Sequence, residues 1–276
     1  MIQNNLILED NDFIFFKDLI HQLAGINLSN EKKQLVQARL RSLLVEKELS
    51  SFTEYKKFLK NQGCGSPEFQ KFINHLTTNK TDFFREPDHF NYLVTKFIPE
   101  WLKTNRQTLN VWSCASSTGE EIYTLSMVFK HHLPKDRDFK ILATDIDTEV
   151  LAKAKNGVYP ISRVSEIPVM YQNEFVTVGT GDVSKWFKIR SGIRQQISFT
   201  KHNLLEDLEI KGAPFDLIFC RNVLIYFSKE TLEEVVGRLF TKSSVGGSLF
   251  IGHSESLNGI NTNWKALQPS IYIRRD

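Results

Sequence analysis

The sequence predicts an α/β chain with a small all-helical front domain and an inserted antiparallel segment. Three observations carry this. Apolar spacing is helical up to about residue 78; from residue 109 short apolar runs alternate with helical stretches; and residues 165–195 break that alternation. The expected organisation is a helical domain over 1–77, a linker over 78–92 and an α/β domain over 93–276, with the insertion at about 165–195.

In the front domain, Phe13, Phe16, Leu19, Ile20 and Leu23 recur at steps of three and four, and Gly25 follows as a stop. Ser29 or Asn30 can cap a second helix with the stripe Leu35, Val36, Leu40, Leu43 and Leu44. Helical stretches from Phe52 to Leu59 and from Phe69 to Leu76 flank the turn-rich "NQGCGSP". The linker "NKTDFFREPDHF" sets the adjacent rings of Phe83 and Phe84 among closely spaced polar side chains.

Beyond it, "LNVWSC" reads as a strand, and "GEEIYTLSMVFKHH" as a helix with two acids in its first turn. "FKILATDID" is a second strand, followed by the helix "TEVLAKAKNG". "QISFTKHN", "PFDLIFCRN" and "GGSLFIGHS" are three further strand-like runs, with the helix "KETLEEVVGRLFTK" between the last two. Such a pattern gives a mostly parallel sheet covered on both faces, and its ligands bind beyond the carboxyl ends of the strands. In the insertion, "GTGD" reads as a turn between two short strands, with Phe187 and Ile189 alternating with Lys188 and Arg190.

Composition limits the function classes. Among 276 residues, 35 basic against 32 acidic side chains give a net charge of +3, too even to mark a nucleic-acid binder. Cys64, Cys114 and Cys220 show no CxxC spacing, so neither a disulfide framework nor a zinc site is expected. Cys114 and Cys220 read as packing residues. His131 and His132 end a helix, His253 follows "GGSLFIG", and no metal cluster is read from them. No apolar window reaches membrane-spanning length and no basic stretch precedes the apolar start, so a soluble, cytoplasmic protein is expected.

Polar residues gather at four successive strand ends. After the first strand, the small residues of "SCASSTGEE" let a ligand approach the backbone. With Gly119 its only glycine, followed by Glu120 and Glu121, the loop suits a ligand carrying positive charge or donor groups rather than a phosphate. Asp145 closes the second strand, where doubly wound nucleotide-binding folds place an acid for ribose hydroxyls, and Asp147 can cap the next helix. Asn203 follows the third strand; Arg221, Asn222 and Tyr226 follow the fourth.

Together "NKTDFFRE", "VWSCASSTGEE", "ATDIDTEVLAKAKNGVY", "HNLLE", "FDLIFCRNVLIYF" and "GGSLFIGHSESL" resemble the CheR family of chemotaxis receptor methyltransferases, over nearly the whole chain and in order. The resemblance implies a Rossmann-like domain that transfers a methyl group from S-adenosylmethionine to glutamate side chains of chemoreceptors. It implies cofactor contacts from Asn79, Thr81 and Arg85 in the linker, with Glu120 and Asp145 holding the amino-acid and ribose portions. Asn203 and Leu204 would frame the adenine, and Arg221 and Asn222 would close the pocket. A glutamate is already a carboxylate at neutral pH, so no base is required; Arg85 is the candidate to steer it, or to bind the cofactor's own carboxylate, and Tyr226 to orient it.

Partner contacts follow from the same resemblance. Some members add a receptor's C-terminal tethering peptide to the inserted β-subdomain as a strand, and "GTG" resembles those. Family members meet the receptor with basic residues on the second helix, here Lys32, Lys33, Arg39 and Arg41. Ser42 and Leu43 stand where arginines often occur, and a solvated basic face is the rival reading. Ile122 replaces a common proline without removing a ligand group. Rival functions are a catalytically silent cofactor or receptor binder, a nucleic-acid methyltransferase, disfavoured by "RNVL" after the fourth strand, and a nicotinamide oxidoreductase, disfavoured by the glycine-poor loop.

Overall fold

The computed structural model describes residues 6–63, 65–207, 209 and 214–276, so Cys64 lies outside the described residues. The front domain packs α1 (Asp10–Ala24), α2 (Lys33–Glu46), α3 (Phe52–Lys60) and α4 (Pro67–Leu76) around Phe16, Ile20, Leu40, Leu44, Tyr55 and Phe72. The expected stop holds: Gly25 ends α1 in the left-handed region, φ 70°. A single 3-10 turn, Asn30–Lys32, precedes α2, and Ser29 makes no side-chain cap bond there. The stretch read as the end of a linker is helical instead. Pro87–Tyr92 forms α5, which runs through a π turn, Leu93–Phe97, into α6, Ile98–Leu102.

The main sheet contains β1 (Thr108–Ser113), β2 (Asp138–Asp145), β6 (Ile197–Lys201), β7 (Phe215–Phe219), β8 (Ser243–Phe250), β9 (Lys265–Gln268) and β10 (Ile271–Ile273), in the order β6-β2-β1-β7-β8-β10-β9. The five strands from β6 to β8 are parallel to their neighbours; β10 pairs antiparallel with β8 and β9. The C-terminal hairpin had no expected counterpart. Its strands are short and β9 is exposed throughout, so it carries little apolar alternation.

Alternation explains the two-faced burial of the central strands. Leu109, Val111, Leu217 and Phe219 face one core, with α7 (Glu120–His132) over it. Trp112, Cys114, Ile218 and Cys220 face the other, under α11 (Lys229–Lys242). Sequence order runs from β1 outward to β2 and β6, then returns to β7 on the opposite side of β1. The switch point therefore lies between β1 and β7, where such sheets bind ligands.

The insertion starts earlier than residue 165. After α8 (Thr148–Asn156), β3 (Val158–Pro160) pairs with β5 (Trp186–Ile189), which pairs with β4 (Val176–Val178) to make an antiparallel sheet of order β3-β5-β4. The "GTGD" segment links β4 to β5, as expected. The 3-10 turn Ile161–Glu166 and α9 (Val169–Phe175) lie between β3 and β4, and the short α10 (Ser191–Arg194) follows β5.

Hydrogen bonds join the helical domain to the loops and helix at the strand ends of the α/β domain. Gln70 Nε2 donates to the Ile146 carbonyl (2.8 Å), and Asn74 Nδ2 to Thr148 Oγ1 (3.1 Å). The Asn27 amide donates to the Tyr226 carbonyl (2.8 Å).

Candidate active site

A cavity opens at the switch point, walled by the ends of β1, β2, β6 and β7, by α1's end and by the linker. Its lining includes Asn79, Thr81, Arg85, Glu121, Asp145, Asn203, Leu204, Arg221, Asn222 and Tyr226. Of the residues that the resemblance assigns to the cofactor or the substrate carboxylate, Glu120 is the one not among its lining.

Glu120 and Glu121 are adjacent in the first turn of α7, so their side chains leave the helix about 100° apart. Glu120 turns toward the insertion, where Arg163 and Thr118 Oγ1 donate to its carboxylate. Glu121 reaches the cavity, accepting from Ser113 Oγ (2.9 Å) and Arg221 Nη1 (3.0 Å). Burial pushes both carboxyls up; Arg163 opposes the rise at Glu120 and Arg221 at Glu121. The turn before them requires glycine. Gly119 has φ +99°, and a Cβ there would stand 2.9 Å from Tyr159 Oη and Ala154 Cβ.

Asp145 is nearly buried at the end of β2. Oδ2 accepts from the Ser117 amide (2.8 Å) and Oδ1 from the Asp147 amide (2.9 Å), so each oxygen keeps a lone pair for a further donor. Burial pushes its carboxyl up to about 6. Asp147 caps α8 as expected, with Oδ1 accepting from the Glu149 and Val150 amides. Its Oδ2 holds the linker, accepting from Asn79 Nδ2 (2.6 Å) and Thr77 Oγ1 (3.0 Å).

Arg221 is the charged hinge of the far wall. Besides Glu121, it donates through Nη2 to the Arg85 carbonyl (2.6 Å) and to Glu86 Oε2 (2.9 Å). Asn222 Nδ2 donates to Glu86 Oε1 (3.2 Å). Burial acts to raise the Glu86 carboxyl, but Arg221 and Asn222 hold it down at about 2. The Asn222 amide is anchored by Glu255 Oε2 (2.8 Å), which also accepts from the Gly252 amide (2.5 Å). Phe84, Glu86, Ser117 and Asn222 hold left-handed φ values of 52°, 59°, 47° and 58°, so backbone strain concentrates around the cavity.

The linker packs through its rings. Phe83 meets Tyr159 edge-on (4.9 Å between centroids) and lies near Phe187 (5.9 Å); Phe84 stacks on Tyr171 (5.2 Å). Arg163 pins the same segment, with Nη2 donating to the Thr81 carbonyl (2.9 Å) and Asp82 Oδ1 (3.1 Å). Sequence reasoning missed Arg163 and Glu255. Arg163 lies in "ISRVSEIP", outside the motifs that carry the family resemblance, while Glu255 lies in one of them, "GGSLFIGHSESL", with no local signal of its partner.

Asn203 lines the cavity with its amide already engaged: Nδ2 donates to the Leu23 carbonyl (2.8 Å) and Oδ1 accepts from the Leu205 amide (3.2 Å). Arg39 is no solvated basic residue. Its guanidinium donates to the Leu76 (2.7 Å) and Thr77 (3.0 Å) carbonyls and to Thr78 Oγ1 (3.0 Å), closing the end of α4. Lys33 pairs with Asp10 (2.5 Å).

Two family models cover nearly all of the sequence: CheR methyltransferase, all-alpha domain, matches residues 11–77, and CheR methyltransferase, SAM binding domain, matches residues 79–273. The chain belongs to the CheR methyltransferase family. It is 40% identical over 247 residues to chemotaxis protein methyltransferase 2 of Pseudomonas aeruginosa, covering 89% of this chain and 86% of that one. It is 37% identical over 269 residues to the chemotaxis protein methyltransferase of Salmonella typhimurium (97% and 91%), and 35% over 261 residues to that of Borreliella burgdorferi (92% and 90%).

As a CheR-family enzyme the chain uses S-adenosylmethionine, and the donor set of the cavity fits that cofactor. Asp145 and Glu121 offer carboxylates to hydroxyl, ammonium and sulfonium groups, and two acids in the first turn of α7 disfavour a phosphate there. Ile146, Leu204 and Phe227 supply apolar walls for a purine.

Proposed function

We propose that this CheR-family chain is a protein-glutamate O-methyltransferase that methylates glutamate side chains of methyl-accepting chemotaxis receptors in the cytoplasm, giving glutamyl methyl esters and S-adenosylhomocysteine. The observation that carries this reading is the cavity at the switch point, built from four strand ends and the linker and lined by carboxylates, in a chain matching both CheR domains.

When bound, the cofactor supplies an electrophilic methyl group on a sulfonium centre. The protein's task is then to hold and align. Asp145 accepts ribose hydroxyls, and Glu121, in place of Glu120, takes the positively charged amino-acid end. Asn79 and Thr81 shape the linker wall, while Asn203 and Leu204 close the adenine side. Arg221 and Asn222 hold the far wall through Glu86. Arg85 meets the incoming carboxylate or the cofactor's own; its Nη1 donates to the Lys80 carbonyl (2.9 Å), and its remaining N–H groups leave capacity for one. Tyr226 orients the substrate carboxylate and shares in stripping water from it.

A groove between α2 and the turn at residues 224–226, lined by Lys32, Leu35, Arg39, Ile225 and Tyr226, reaches the cofactor cavity at Tyr226. It suits a receptor helix that delivers an acidic side chain. On the small sheet, β3 and β4 each pair on one side only, and Val178, Val183 and Trp186 are exposed beside Lys153 and Lys188. That surface supports addition of an extended receptor tether as a further strand.

The test is methyl transfer from labelled S-adenosylmethionine to a cytoplasmic chemoreceptor fragment, followed by mild alkali. Label that transfers and is then released as methanol is the expected result. Cofactor binding without transfer to any receptor fragment would point to the silent binder instead.

A further inference from the structure

Outside the cofactor cavity, the structure brings together three side chains that the sequence reading did not connect. Glu86 precedes α5, His89 lies within it, and His253 follows β8. One ligand atom from each lies within 4.8 Å of the others. His89 Nδ1 is 3.6 Å from Glu86 Oε2, and the His89 and His253 rings meet edge-on with centroids 4.7 Å apart.

His89 is the unusual member. It is 2% exposed, yet neither Nδ1 nor Nε2 has a hydrogen-bond partner among the described residues. A buried imidazole with both nitrogens idle sacrifices its solvation for nothing visible, and such orphaned groups are explained by a water or an ion. It meets the apolar rings of Phe219 and Phe250 edge-on, and the polar group facing it is the Glu86 carboxylate, beyond hydrogen-bond distance at 3.6 Å.

The other two groups suit the same ligand. Glu86 is an anion held in place by Arg221 and Asn222, the kind of outer contact that fixes a ligating carboxylate. Arg221 divides its charge between Glu86 and Glu121, so Glu86 does not have it to itself. His253 is exposed, so the site is open to solvent on that side, and ligation requires the three groups to draw closer than the 4.8 Å that now bounds their separation. Two imidazoles and one carboxylate with an open position form a donor set for a borderline divalent metal of the zinc type, not for magnesium or calcium.

We propose that Glu86, His89 and His253 form a binding site for a zinc-class divalent transition metal, separate from the cofactor cavity.

The test uses the full chain, stripped with chelator, and Zn2+ alone in calorimetry, with Co2+ as the spectroscopic probe. One Zn2+ per chain is expected, lost or weakened at least tenfold in His253→Ala and in His89→Gln. His131→Ala, at the adjoining pair His131 and His132 at the end of α7, should leave that affinity unchanged. Co2+ should give visible absorption bands of a low-coordinate nitrogen and oxygen site, absent in His253→Ala. Because His253 is exposed, its variant should keep the wild-type circular dichroism spectrum even where His89→Gln fails to fold. Absence of Zn2+ binding, or binding that survives His253→Ala while disappearing in His131→Ala, would overturn the site.

Discussion

Arg221 Nη1 donates to Glu121 Oε2 at 3.0 Å, joining the end of β7 to the first turn of α7 across the mouth of the switch point. Of the two adjacent acids, Glu121 lines the switch-point cavity and Glu120 does not. Glu121→Gln should weaken S-adenosylmethionine binding at least about tenfold, ~1.4 kcal/mol, while Glu120→Gln changes it less than about threefold. Calorimetry on the two variants decides between them, and the reverse ranking would return the role to Glu120.

Arg163 neutralises the buried Glu120 and ties down Thr81 and Asp82. Arg163→Ala leaves that carboxylate unpaired, and a loss of about 2–3 kcal/mol is expected after allowing for the partial exposure of the arginine. For a chain of this size that lowers Tm by several degrees. Adding Glu120→Gln to Arg163→Ala should recover part of the loss; purely additive melting shifts would show that the two are not coupled.

Asp145 gives a pH dependence with a definite sign. Burial raises its carboxyl to about 6 in the folded chain, against 3.8 ordinarily. Between about pH 4 and 6 the folded state therefore binds more protons than the unfolded one, and this group's contribution to stability falls as pH rises through that window. Cofactor affinity runs the other way, because hydroxyl donors and a positively charged ligand favour the carboxylate. S-adenosylmethionine binding should strengthen from pH 5 to 7 and then level off. Asp145→Asn should bind more weakly and lose that slope, and a slope unchanged in the variant would assign the titration to another group.

Arg85 lines the cavity, and among the described residues its guanidinium donates to one backbone carbonyl. Arg85→Ala should reduce turnover on a receptor fragment by about a hundredfold or more while leaving the circular dichroism spectrum and Tm unchanged. A fall in kcat at constant cofactor Kd would assign it to the substrate carboxylate, and a rise in Kd to the cofactor. Near-normal turnover would remove it from the mechanism.

Arg39 and Lys32 line the same groove but should respond differently. Arg39 holds the last carbonyls of α4, so Arg39→Ala should cost roughly 1–3 kcal/mol of stability in denaturant unfolding. Lys32→Glu should leave stability within about 0.5 kcal/mol and raise the KM for receptor. Equal effects of the two on stability would contradict the division.

The fold was legible because its signals are local. Helical spacing from Phe13 to Leu23, alternation in "VWSC" and "DLIFC", and the polar residues ending each strand all depend on neighbours within a few positions. The family resemblance rested on the same runs. Local patterning also led to Asp147 as a helix cap and to Gly25 as a stop, since caps and left-handed turns are properties of single residues.

What only the tertiary structure decided is direction and partnership. Adjacent acids on a helix look equivalent in sequence, and it took the position of Arg163 on one side and Arg221 on the other to separate Glu120 from Glu121. Arg39 reads as a surface charge until the end of α4 is brought against it. Glu255 gains its purpose when β8 sets it under the Asn222 turn, and His89 and His253, 164 positions apart, meet only when α5 packs against the end of β8. The sequence by itself determined the elements and the chemistry available at each strand end. Long-range packing determined which side chains face the cavity, because a side chain's partner is fixed by three-dimensional approach and not by its place in the chain.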